Sequence, residues 1–144
     1  MKKILMLMIA ILLVAVGIIG LNYKDYEIKN IDNNLFNSTY EEYNTTNLNG
    51  LDITTIMNKA VSNNEKYEIP KDENGLYILD NEHSIIIYVI MVEEEPAYRM
   101  EKFMKAGMGD FTRYFGEVGF ECIDVSYHEK NGRIASMTFK AEMY

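Results

Sequence analysis

Two histidines, one cysteine and a run of three glutamates are the side chains from which a reactive site in this chain would be assembled. His83 and His128 stand 45 residues apart, and neither belongs to an H-x-x-x-H or C-x-x-C pattern. Zinc sites draw their ligands from such short spacings, so both are expected as solvated surface histidines. Cys122 and His128 are six residues apart on a predicted strand, which puts them on one face but about 20 Å from each other. They make no nucleophile–base pair, and Cys122 is expected as a small buried apolar side chain. Glu93-Glu94-Glu95-Pro96 reads as a helix start, where free N–H groups favour acids and proline gives up nothing. Asp72-Glu73-Asn74-Gly75 has the flavour of a calcium loop but lacks its ligand spacing and closing glutamate, so it reads as a turn. Gly107 and Gly109 fall inside a predicted helix, where they cannot form a phosphate-cradling loop. No catalytic, cofactor-binding or metal-binding residue is assigned, and the expectation is a protein that is not an enzyme and carries no cofactor.

One pattern is left as a candidate interaction surface. Met100, Met104 and Met108 recur at i, i+4 and i+8, making one helix ridge of the adaptable side chain that suits binding faces. Core packing competes with that reading, because Phe103 and Phe111 continue the same face.

The charge balance narrows the partners. All 22 acidic residues lie after Leu21, so the chain from Asn22 onward carries 12 basic against 22 acidic side chains. That surplus repels phosphate backbones, and nucleic acid is not an expected partner. The absence of tryptophan and of basic–aromatic interleaving argues against carbohydrate and single-strand platforms. A lone cysteine excludes an internal disulfide framework.

The elements that must position these residues begin with an apolar run. Ile4 to Leu21 reads ILMLMIAILLVAVGIIGL, without one charged or strongly polar side chain. As a helix it is roughly 27 Å long, close to a bilayer's hydrocarbon thickness. Lys2 and Lys3 precede it, which by the positive-inside rule puts the N-terminus in the cytoplasm and the rest outside the cell membrane. Residues 1–21 are therefore expected as a retained signal anchor that contacts the bilayer through Ile4–Leu21. The rival is a cleaved signal peptide, but the apolar core is long for one. The small-residue positions Ala15 and Gly17 would also leave Ile18-Ile19 as the new terminus. No cysteine follows the run, so lipoprotein processing is excluded.

Residues 22–47 turn polar and serve as a stalk or linker. Leu21, Ile28, Ile31 and Leu35 keep helical spacing there, so a helical stalk and a flexible tether are both open. Asn37-Ser38-Thr39 and Asn44-Thr45-Thr46 match the glycosylation sequon, a match expected by chance in asparagine-rich sequence.

Residues 48–144 read as one α+β domain. Ile53, Ile56, Met57, Ala60 and Val61 form one face of a helix, with Asp52 as N-cap and Asn63-Asn64 as stop. Tyr67–Ile69 opens a strand, and Leu76–Leu79 pairs with the apolar run Ser84–Val92, a central strand covered on both sides. A second helix follows from Pro96 to Gly116. Ile123–Tyr127 and Ala135–Ala141 then form a hairpin about Lys130-Asn131-Gly132. Matching apolar faces pairs Tyr127 with Ala135, Val125 with Met137 and Ile123 with Phe139, and gives Gly132 a positive φ. The order is αββαββ: a mainly antiparallel four-stranded sheet with two helices packed on it.

An N-terminal apolar helix that extends as a stalk into a small α+β head resembles the layout of pilins and pseudopilins. That resemblance implies an envelope assembly subunit. The family's peptidase site, a glycine before an apolar helix with an early glutamate, is missing, because Lys3 precedes Ile4 and no acid interrupts Ile4–Leu21. The functional expectation is a non-enzymatic interaction or assembly module of the cell envelope, bound to an unidentified protein or to itself. If the leader is cut, a secreted ligand-binding domain takes its place.

Overall fold

The computed structural model describes residues 1–142. They fall into two compact units, Met1–Leu35 and a second from Phe36 onward. The elements in order are α1 (Lys2–Glu41), β1 (Leu48–Asn49), α2 (Gly50–Lys66), β2 (Ile86–Ile90), β3 (Tyr98–Arg99), α3 (Met100–Ala106), α4 (Met108–Phe115), β4 (Gly119–Tyr127) and β5 (Ile134–Ala141).

The first unit is helical from Lys2, and among the described residues every side chain from Ile4 to Leu21 is exposed. A soluble helix hides an apolar stripe; this one is apolar all round and buries none of it. It is the one helix among the described residues long and apolar enough to cross a membrane.

In the second unit the sheet runs β1-β4-β5-β2-β3. Every neighbour is antiparallel except β2 and β5, which run parallel with Ile86 beside Ser136 and Ile90 beside Lys140. Parallel neighbours need a long crossover, and β3, α3, α4 and β4 supply it. The expected four-stranded, mainly antiparallel sheet is thus corrected to five strands of mixed direction. Fully buried Ile85, Ile86, Ile87, Val89, Phe120, Met137 and Phe139 pack with Ile53, Ile56, Met57 and Ala60 of α2. Ser84–Val92 does supply an inner strand, as its β-branched, two-sided apolar run implied. The last turn of α1 joins this core through Tyr40, and Tyr43 follows it.

Four local departures have physical causes. Asn49, not Asp52, caps α2. Its side chain accepts from the amides of Leu51 and Asp52, while Asp52 accepts from the Asn49 amide and completes a capping box. Tyr67–Ile69 is the unwinding end of α2, with Glu68 at φ 52°. Leu76–Leu79 does not pair with β2. The amide and carbonyl of Tyr77 are taken by the side chains of Glu101 (3.0 Å) and Arg99 (2.7 Å), which satisfy the backbone that a strand would have used. The helix expected from Pro96 starts at Met100 and breaks at Gly107, whose φ of 108° and ψ of 116° end α3 and open α4.

The hairpin keeps the pairing of Val125 with Met137 and the positive φ of Gly132 (69°). Two bulges shift the rest: Cys122 faces Phe139, and Tyr127 faces Ile134.

Candidate functional site

The polar side chains of the second unit converge where α1 ends, α2 ends and the β4–β5 hairpin turns. Asp80 begins this region by folding the chain into a tight loop. One carboxylate oxygen accepts from the amides of Glu82, His83 and Ser84 at 2.8–3.0 Å, and the Ser84 hydroxyl takes the Asp80 amide in return. Partial burial works against the charged form of Asp80, but the three amides prevail and hold its pKa down to about 2.

That loop delivers His83 to Arg133. The two lie 2.9 Å apart through His83 Nδ1, and since a guanidinium only donates, Nδ1 accepts and the imidazole proton sits on Nε2. Nε2 in turn stands 3.9 Å from Glu82, which pairs with Lys130, and that partner lowers the Glu82 pKa. The His83 ring stacks on Tyr67 at 4.2 Å.

Arg133 is 5% exposed and has no carboxylate partner among the described residues. Its guanidinium lies 3.9 Å over the ring of Phe36 and 5.1 Å from that of Tyr67, so two ring faces carry much of its compensation. Tyr67 Oη is at 3.4 Å, and Arg133 Nε is buried with no acceptor. Burial raises the pKa of nearby Tyr40, against the opposing charge of Arg133.

The same seam is closed by side chains that stand in for backbone. Asn37 donates to the Gly132 carbonyl and accepts from the Ile134 amide. Asn64 bonds both backbone groups of Ile85, and His128 Nε2 meets the Ser84 carbonyl at 2.7 Å. His128 is 6% exposed, so the expectation of two solvated histidines is corrected: one is buried and the other half-covered by Tyr67 and Arg133. Beside the cluster, Phe36 and Tyr40 floor an open groove of about 530 Å³ rimmed by Lys59, Lys66, Asn58 and Ser62.

Glu82, His83 and Arg133 form a line of carboxylate, imidazole and guanidinium, with the Tyr67 hydroxyl at its Arg133 end. The Ser84 hydroxyl is committed to Asp80, and Cys122 holds its Sγ against the Asp124 carbonyl with a thiol pKa raised by burial. Among the described residues no three of His, Cys, Asp and Glu gather as metal ligands. The cluster ties four chain segments together: the end of α1, the end of α2, the Asp80–Ile85 loop and the β4–β5 hairpin.

Of the sequence candidates, Met100 is fully buried, while Met104 and Met108 are half-buried on either side of the break at Gly107. Glu93 pairs with Lys140 and Glu95 accepts from Tyr98, in a turn rather than at a helix start. Asp80 and Ser84 carried a readable loop signal in their spacing. Asn64 and Arg133 carried none, because a single polar residue does not announce its burial. Comparison with protein families, characterised proteins and solved structures returned no match.

Proposed function

We propose that this chain is a single-pass membrane protein whose acidic domain works outside the cytoplasm as a non-enzymatic interaction or assembly module of the cell envelope. The observation that carries the reading is the helix over Ile4–Leu21, apolar on every face and with none of its side chains buried among the described residues. Exposed to water, such a surface costs on the order of 25 cal/mol for each Å², and a bilayer removes that cost. Lys2 and Lys3 orient the N-terminus inward. The reactive side chains of the head are spent on holding it together, which supports a binding role over a catalytic one. Met104 and Met108 are the part of the methionine set still open to a partner, and Met100 is not.

A pilin-like subunit is the second reading. It is favoured by the order of an N-terminal apolar helix ahead of a small α+β unit. Protease protection in spheroplasts tests the orientation: digestion of the domain from outside supports the proposal, and digestion only after lysis contradicts it.

A further inference from the structure

β4 is nine residues long, yet β1 covers only Gly119 and Phe120, and the Thr45 carbonyl then takes the Cys122 amide at 2.9 Å. Beyond Cys122 no strand of the described residues pairs with the outer edge of β4. Two hydrogen bonds fix which backbone groups face outward. The Cys122 amide points away from β5, toward Thr45, whereas the His128 amide points toward β5 and meets the Arg133 carbonyl at 2.8 Å. The bulge between Cys122 and Asp124 makes this switch. Counting back from His128 in alternation leaves the amides and carbonyls of Val125 and Tyr127 directed outward.

Exposed edges are usually blunted by charged side chains, proline, bulges or shortness. The open stretch Ile123-Asp124-Val125-Ser126-Tyr127 holds no lysine or proline; its one charge is Asp124, beside the bulge, and Ile123 and Tyr127 are 47% and 51% exposed. Both other edge segments, β1 and β3, are two residues long.

We infer that the outer edge of β4 pairs antiparallel with the same edge of a second copy of this chain, about a two-fold axis at Val125. The inference deepens the interaction-module reading by naming the surface and the partner. Its register follows from the side chains. With the axis at Val125, its outward amide and carbonyl meet those of the second copy's Val125, Ile123 lies opposite the second copy's Tyr127, and Asp124 lies opposite its Ser126. An axis at Asp124 would set two carboxylates face to face, and an axis at Ser126 would put Ile123 against Glu129 of the hairpin tip. Only the Val125 register matches apolar with apolar and leaves each acid beside a hydroxyl.

The test is sedimentation of the full chain in detergent micelles over a range of concentrations. The wild type sediments as a dimer. Val125→Pro removes an amide directed away from β5, so it yields a monomer with an unchanged far-UV spectrum. Ser126→Asp sets an acid opposite Asp124 twice over and weakens the dimer about tenfold, while Ser126→Lys strengthens it. Should Val125→Pro lose its fold, the opposite signs of the two position-126 variants decide alone. A monomeric wild type, a dimer that these variants leave unchanged, or two position-126 variants that shift it the same way overturns the pairing. A monomeric wild type that still retains another envelope protein overturns only the pairing; one that retains none counts against the interaction-module reading as well.

Discussion

The side-chain amide of Asn64 closes both backbone hydrogen bonds of Ile85, accepting its amide at 2.9 Å and donating to its carbonyl at 2.8 Å. A residue of α2 thereby acts as one rung of a strand at the point where β2 enters the sheet. Asn64→Leu keeps the volume but orphans two buried backbone groups, each costing about 1–3 kcal/mol. The expected loss is about 2–4 kcal/mol, read as a lower midpoint in urea unfolding with an unchanged slope.

Arg133 calls for two substitutions. Arg133→Ala empties the space between Phe36 and Tyr67 and is expected to cost about 2–4 kcal/mol. Arg133→Met fills that space without a buried charge that lacks a counter-charge, and is expected to cost less than half as much. Equal losses in thermal unfolding would show that the charge, rather than the packing, is what matters there.

Asp80 sets an acid limb. Its folded pKa, about 2, lies below the ordinary 3.8, so the stability it contributes is fully present above 3.8 and is lost as pH falls through about 2. Asp80→Asn is therefore expected to destabilise the domain at pH 7 and to flatten the unfolding free energy between pH 4 and pH 2. A titration of urea midpoints against pH reads both effects.

Gly50 marks where the start of α2 meets the end of α4. A Cβ there would stand 1.8 Å from the Phe115 carbonyl oxygen, a backbone atom that cannot step aside. Gly50→Ala is expected to prevent folding of the domain. At Gly132 a Cβ meets open space and only the φ of 69° resists it, so Gly132→Ala should cost about 1 kcal/mol. Soluble yield and circular dichroism separate the two.

Periodicity made several elements legible. Ile53 to Ala60 announced α2, Ser84–Val92 announced an inner strand, and the Asn131-Gly132 turn announced the hairpin and its positive φ. Part of what stayed hidden has one cause. Tyr77, Ile85 and Ile134 satisfy backbone groups on side chains remote in sequence, namely Glu101, Arg99, Asn64 and Asn37. No local pattern reveals such long-range partners. The parallel pairing of β2 with β5 was hidden likewise, since both strands look alike whichever way their neighbour runs. The Arg133 cluster was illegible because its members are spread from Phe36 to Arg133.

The central claim is that Ile4–Leu21 remains in the protein and holds it in a bilayer. Expression of the full chain in a bacterial host, followed by alkaline extraction of membranes and mass determination of the mature N-terminus, tests it most directly. The account predicts an intact Met1 in the alkali-resistant membrane fraction. A soluble protein whose chain begins near Ile18 or Leu21 would contradict it and make this a secreted domain.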